Sequence, residues 1–208
     1  LKGFCIEQIR EYRVAVGQGV IAQFDAATYN DAIWFARIGN GSLGGKARGL
    51  AFMNSVLQRH DLYDRWPGVR VMIPRTVVIT TEYFDRFIID NGLQYVINSE
   101  ITDEEILAEF VASTLPDDLM ESLRAMLRTT RSPLAVRSSS KLEDSYYQPF
   151  AGIYSTYMIP HTDNEDQQLR LLGKAIKSVY ASVYFSSSRA YITATANVIG
   201  EEKMGIVI

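Results

Sequence analysis

Apolar residues recur along the chain at two spacings, and the changes from one to the other mark out the elements. Helical spacing is clearest over residues 117–128, where Leu119, Leu123, Met126 and Leu127 share one face. The same spacing predicts a helix over residues 102–113 with Ile106, Leu107 and Phe110 apolar, opened by a capping box of Thr102 and Glu105. A longer helix follows the cap Asn164 and carries Leu169, Leu172, Ile176, Val179 and Val183, with Tyr180, Tyr184 and Phe185 read as core. Residues 82–91 and 6–16 also read as helices, as do residues 47–58 with Leu50, Met53, Val56 and Leu57 on one face. β-Branched runs mark strands. Residues 69–81 form one, bent or placed at an edge by Pro74, and Leu134, Ala135 and Val136 form a short buried one. A strand-like run carries Gly152, and residues 199–208 read as a turn and the beginning of a strand. Residues 31–38 mix Trp34 and Phe35 with Arg37 and read as an anchor against the domain. Helices and strands therefore mix, and the fold expected is α/β (α+β): a mixed sheet with flanking helices.

At 208 residues the chain is long enough for one large domain or two small ones. A hydrophobic content of 47% with 22% charged residues describes an ordinary soluble globular protein. The net charge of -3 gives no reason to expect a nucleic-acid or membrane surface. Cys5 is the single cysteine, so no internal disulfide forms, which suits a reducing, cytoplasmic setting. No apolar run reaches the roughly 18 residues that read as a membrane span. The chain opens without methionine or a signal-peptide layout and stops inside the apolar run Met204-Gly-Ile-Val-Ile208, so it is expected to be part of a longer protein.

The periodicity breaks at two places, and both carry candidate chemistry. The first is Gly39-Asn-Gly-Ser-Leu-Gly-Gly-Lys-Ala-Arg-Gly49. Gly39, Gly41 and Gly44 satisfy G-x-G-x-x-G, but the next strand-like run starts too late and ends in no acid, so the dinucleotide fingerprint fails. A Walker A loop fails because Asn40 stands at its first glycine and Ala47 at its Ser/Thr. Lys46 stands where a protein-kinase loop needs valine. What remains is a glycine-rich turn delivering Lys46 to the start of a helix. Bare backbone N–H groups approach an anion closely, a helix start favours negative charge, and lysine reaches a phosphate as a mobile point charge. A helix start whose glycines only ease the turn is the plainer alternative.

The second break follows Val136. Arg137 ends the buried run, and Ser138, Ser139 and Ser140 follow as a turn rich in hydroxyl and backbone donors. An arginine at the end of a buried strand needs an anion or a carboxylate. Phosphate oxygens suit its planar fork, and Glu143 or Asp144 would suit it as well. Those two acids either act as a pair in acid–base work or stiffen the serine turn; Tyr146 and Tyr147 either cover a ligand or sit half-exposed. His60 and His161 lack a second metal-type ligand at a workable spacing and read as surface loop residues, so no metal ligand is assigned.

Val136-Arg-Ser-Ser-Ser-Lys-Leu-Glu-Asp144, followed by Pro149-Phe-Ala-Gly-Ile-Tyr-Ser-Thr156, resembles the V-R-S-S-x-x-x-E-D…F-A-G-x-x-x-T signature of the phosphoenolpyruvate synthase and pyruvate phosphate dikinase family. Leu43-Gly-Gly-Lys-Ala47 is similar to that family's L-G-G-K-[GN]-A segment, and residues 69–81 to its V-P-x-G-[FV]-x-[IV]-[TS] strand, with Thr76 in place of the glycine. Ser186-Ser-Ser-Arg-Ala-Tyr191 is similar to a helix segment of the family, with Arg189 read as structural. The resemblance implies an ATP-grasp-like nucleotide-binding domain, its first lobe and part of the second, over residues 31–208, with residues 1–30 a leading segment. It implies that the full protein is a phosphotransferase. ATP would give its β-phosphate to a phosphohistidine carrier domain and then to pyruvate, yielding phosphoenolpyruvate, AMP and phosphate. Lys46 and Arg137 are then the catalytic phosphate contacts, and Ser138, Ser139, Gly152, Ile153 and Thr156 join them in holding ATP. The magnesium ligands, the carrier domain and the pyruvate-binding domain are expected outside this chain, which alone should not turn over. A related dikinase acting on an antibiotic or a glucan, and a non-catalytic nucleotide-sensing module, are the alternatives.

Overall fold

The computed structural model describes residues 8, 21–30, 32–140, 152–195, 200 and 202–208. A six-stranded sheet runs through it in the order β1-β2-β3-β6-β4-β5. The strands are β1 (Ala22–Gln23), β2 (Phe35–Ile38), β3 (Thr76–Ile79), β4 (Leu134–Ser140), β5 (Thr156–Ile159) and β6 (Met204–Val207). β1, β2 and β3 pair parallel, whereas β6 runs antiparallel between β3 and β4, and β5 antiparallel on the outer side of β4. The sheet is therefore mixed, as expected. The helices are α1 (Gly45–Arg59), α2 (Thr81–Asp90), α3 (Asp103–Ala112), α4 (Asp117–Thr129), α5 (Glu165–Ala181) and α6 (Ser186–Ala194).

Strand alternation sorts the core into two layers. On one face, Phe35, Val78 and Val207 pack against Ala47, Leu50 and Ala51 of α1. On the other, Ala36, Ile38, Val77, Ile79, Val136 and Ile206 join the larger cluster built by the remaining helices. That cluster is aromatic at its centre: Phe87 lies 5.7 Å from Phe110 and 5.5 Å from Tyr180 between ring centroids. The capping box forms as the spacing predicts, Glu105 N–H donating to Thr102 Oγ1 at 3.2 Å and Thr102 N–H to the Glu105 carboxylate at 2.8 Å. Asn164 caps α5 through the N–H of Gln167 at 2.9 Å. Arg189 is structural: its guanidinium donates to the carbonyls of Tyr184, Ser99 and Val96 at 2.6, 2.8 and 2.6 Å, tying α6 to the turn before α3.

Five local expectations need correction. Residues 69–81 are not one strand: only Thr76–Ile79 is, because Pro74 has no N–H for a ladder and the segment before it bonds to the turn after α1, Val71 N–H donating to the Tyr63 carbonyl. Residues 35–38, read as an anchor, are an inner strand. The apolar face of α1 is not the one expected, since Met53 is exposed and the sheet is met through Ala47, Leu50 and Ala51. Arg137 lies inside β4, and the serines after it are strand, not turn. Phe24 and Tyr29, from the stretch read as a leading segment, belong to the core. The helix expected over residues 6–16 and the turn before β6 lie outside the described residues, apart from single positions.

Candidate functional site

The carboxyl ends of β2, β3 and β4 lie at one end of the sheet, and the glycine segment of residues 39–44 crosses there from β2 into α1. Each attachment of this segment is specific. Gly44 has φ 73 and ψ -179, and a Cβ built on it would stand 1.6 Å from the Ser139 carbonyl oxygen, so only glycine fits against β4 there. Ser139 Oγ accepts the N–H of Ala47 at 3.0 Å and donates to the Leu43 carbonyl at 2.8 Å. Those two bonds fasten the first turn of α1 to the strand. Beside them the Lys46 amine donates to Ser138 Oγ at 3.0 Å. Ser138 and Ser139 are buried with their hydroxyls engaged, which is why three serines persist in an inner strand.

The other half of the loop faces α2. Asn40 N–H donates to the Glu82 carboxylate at 2.6 Å, Gly41 N–H to Thr80 Oγ1 at 3.2 Å, and Ser42 N–H to Thr81 Oγ1 at 3.0 Å. Thr81 N–H donates back to the Ser42 carbonyl at 2.9 Å. The glycine backbone does meet an anion, but that anion is a side chain of the protein. Sequence reasoning passed over Thr80, Thr81 and Glu82, taking Glu82 only as the start of a helix. The one available signal was a run of polar residues where a buried strand gives way to an amphipathic helix.

Arg137 sits next to Ser138 in β4, but alternation sends the two side chains to different faces. Ser138 pairs in register with Ile206 of the larger core, whereas Arg137 pairs with Val207 on the α1 face and with Thr156 of β5. The Arg137 guanidinium is exposed and opens on a cavity of about 400 Å³, lined also by Tyr29, Arg75, Arg131, Met158 and Ile208 and by no carboxylate among the described residues. Arg75 is committed to structure: it donates to the carbonyls of Ile33 and Asn30 at 3.1 and 2.8 Å and lies over the Tyr29 ring at 4.9 Å. Burial pushes the Tyr29 phenol up, partly offset by that guanidinium.

Lys46 therefore bonds to the residue that follows Arg137 in β4, but the two side chains meet that strand on different faces, and the cavity beside Arg137 is lined by neither Lys46 nor Ser138. β5 pairs with β4 only as far as Arg137, so at Ser138, Ser139 and Ser140 the described pairing is with β6 alone. Gly152 has φ 80 with open space around it, Ile153 packs against the core, and Thr156 opens β5 opposite Arg137. Glu143, Asp144, Tyr146 and Tyr147 lie outside the described residues. Among the described residues no cluster of three or more His, Cys, Asp or Glu gathers to hold a metal ion. His60 is exposed, and His161 is half-buried 3.7 Å from Asp163. No helix among the described residues is long and apolar enough to cross a membrane.

The fold and the candidate site together define a mixed-sheet α/β domain with a glycine loop, a helix-start lysine and a strand arginine. The particular family follows from comparison. The model of the pyruvate phosphate dikinase, AMP/ATP-binding domain matches residues 40–208, and the chain belongs to that family. It is similar to the uncharacterised phosphotransferase YvkC of Bacillus subtilis (strain 168), 33% identical over 139 residues. That match covers 65% of this chain but 15% of the relative, so the chain spans a small part of the protein it matches. The chain is accordingly an ATP-binding domain of a dikinase and phosphotransferase family.

Proposed function

We propose that this domain supplies the ATP site of a phosphotransferase that moves the β-phosphate of ATP, through a phosphohistidine carrier in the same full-length protein, to pyruvate. Water takes the γ-phosphoryl group, and the products are phosphoenolpyruvate, AMP and phosphate. Phosphoryl transfer requires mainly positioning and charge neutralisation, so fixed cations are the protein's main contribution here. In this reading Lys46 supplies one from the start of α1 and Arg137 the other from the opposite face of β4. The polyphosphate would bend around β4 beyond Arg137, where the described pairing with β5 ends. Ser138 and Ser139 hold the lysine and the helix start, and Gly152, Ile153 and Thr156 approach from the β5 side. The single observation that carries this reading is the Lys46 amine donating to Ser138 Oγ at 3.0 Å, which brings a cation from the start of α1 to the carboxyl end of β4.

Magnesium fits poorly with the described residues: the acid at the loop, Glu82, is engaged by Asn40 N–H, and no acidic cluster gathers nearby. Its ligands are therefore placed elsewhere in the full-length protein, and no step is assigned to it here. Setting is cytoplasmic in this reading.

The test is Mg-ATP binding and AMP formation by the full-length protein with Lys46→Ala and Arg137→Ala. Each loses a charge-assisted contact worth about 1.5–3 kcal/mol, or roughly 10–100-fold in affinity. Unchanged affinity in both variants overturns the assignment. AMP formed without pyruvate, but with another acceptor, would move the substrate and leave the site in place.

A further inference from the structure

The loop that delivers Lys46 is held at both ends, and the end remote from the lysine is held by a charge. Consecutive N–H groups of Asn40, Gly41 and Ser42 turn towards the start of α2 and are taken by Glu82, Thr80 and Thr81 respectively. Successive backbone N–H groups turned to one side form a concavity suited to an anion. Here the carboxylate of Glu82 fills that role from within the chain. The fit is tight: a Cβ on Gly41 would lie 2.6 Å from Glu82 N and 2.9 Å from Thr81 Oγ1. Thr80 and Thr81 are buried, so their hydroxyls have little freedom to turn elsewhere. At the far end, Gly44 is pressed on the Ser139 carbonyl and Ala47 N–H is bound by Ser139 Oγ. Only Leu43 and Gly45 separate these two attachments from Lys46, so the position of the amine depends on both.

We propose that Glu82 is a positioning residue for the phosphate site: its carboxylate, assisted by Thr80 and Thr81, locks residues 40–42 so that Lys46 stands at Ser138. This rests on the reading that Lys46 binds a phosphate of ATP, and it sharpens that reading. Because the Glu82 carboxylate satisfies Asn40 N–H and the Thr80 and Thr81 hydroxyls satisfy those of Gly41 and Ser42, phosphate does not enter the glycine turn. It binds only at the lysine end. A phosphate brought to Asn40 N–H would have to displace a like charge from a charge-assisted bond.

The test uses the full-length protein with Glu82→Ala, Glu82→Gln, Lys46→Ala and the Lys46→Ala/Glu82→Ala double variant. Mg-ATP affinity, amide hydrogen exchange of residues 40–42 and melting temperature are read in each. Glu82→Ala is expected to weaken ATP about tenfold and to speed exchange at Asn40, while Glu82→Gln, which keeps an acceptor oxygen, recovers most of the affinity. Acting through the lysine, Glu82→Ala adds no more than about twofold to the Lys46→Ala loss in the double variant. A Glu82→Ala protein that melts lower but binds ATP normally, beside a weakened Lys46→Ala, overturns this proposal alone. So does a double variant whose losses multiply. An unaffected Lys46→Ala overturns the phosphate reading and, with it, any role for Glu82 through the lysine. Its exchange data would still report whether Glu82 holds the loop.

Discussion

Replacing Gly44 by alanine is the sharpest test of how the loop is built. Two costs add. Its φ of 73 and ψ of -179 fall in a region that is essentially glycine-only, worth about 1–3 kcal/mol for any other residue. The added methyl would also sit 1.6 Å from the Ser139 carbonyl oxygen and 2.4 Å from its carbon. Those are backbone atoms of an inner strand, with no rotamer to relieve them, so the loop and β4 must part at a further cost of about 1–3 kcal/mol. The total, about 2–6 kcal/mol, is a large part of an ordinary domain stability of roughly 5–15 kcal/mol. For a domain of this size each kcal/mol moves the melting temperature by about 2–4 °C, so a fall of at least about 4 °C is expected. Gly49→Ala is the control: it lies in α1 with nothing within 4 Å of a built Cβ, and alanine there should stabilise by about 0.5–1 kcal/mol. Urea denaturation and thermal melting of both variants measure the contrast. If Gly44→Ala melts within a degree of the parent, the loop does not press on β4 and the placement of Lys46 is wrong.

Arg189→Lys keeps the charge but cannot reach three carbonyls in one plane; with the Tyr184 and Ser99 carbonyls losing a donor, a loss of about 1–3 kcal/mol in urea midpoint analysis is expected, and a loss under about 0.5 kcal/mol would make the clamp incidental. At high pH, burial first and the Asp118 carboxylate second push the Tyr83 phenol up to about 12. The folded phenol stays neutral while the unfolded one ionises from about pH 10, so this contribution is intact below that pH and is lost as pH rises through the folded value. Burial raises Tyr180 and Tyr184 in the same direction. Stability measured from pH 9 to 11.5 should fall, and Tyr83→Phe should flatten the slope; an unchanged slope in that variant refutes the assignment.

The elements legible in the sequence are those whose stability is local. α3, α4 and α5 announce themselves because Ile106 and Phe110, Leu119 and Leu123, and Leu169 and Leu172 repeat at helical spacing behind acidic or asparagine starts. α1 misleads because close approach to a sheet favours small residues. Ala47 and Ala51 make that contact, while the larger Phe52 and Met53 are 70% and 47% exposed. β4 was cut short because a buried serine looks in sequence like a turn serine. Only partners about ninety positions away, Lys46 and Ala47, supply the bonds that let Ser138 and Ser139 enter the core. The site divides along the same line. Lys46 and Arg137 were visible from residue type and motif, whereas Glu82 acquires its role solely from a contact to Asn40 across 42 positions, which no local pattern carries.

That contact also explains where a ligand has room. In α/β sheets, ligands settle outside the carboxyl ends of strands where neighbouring connections leave towards opposite faces. β2 and β3 are such neighbours: the chain leaves β2 for α1 on one face and leaves β3 for α2 on the other. The crevice this creates is already closed by Asn40 on Glu82, Gly41 on Thr80 and Ser42 on Thr81. Filling it would move the anion site two strand positions along the sheet, past the inserted β6, to the end of β4. There Lys46 meets Ser138 and the pairing with β5 stops at Arg137. In the proposed site, a carboxylate in the ordinary anion position and a lysine at the end of β4 are thus parts of one arrangement: the first would exclude phosphate from the switch point, and the second would receive it.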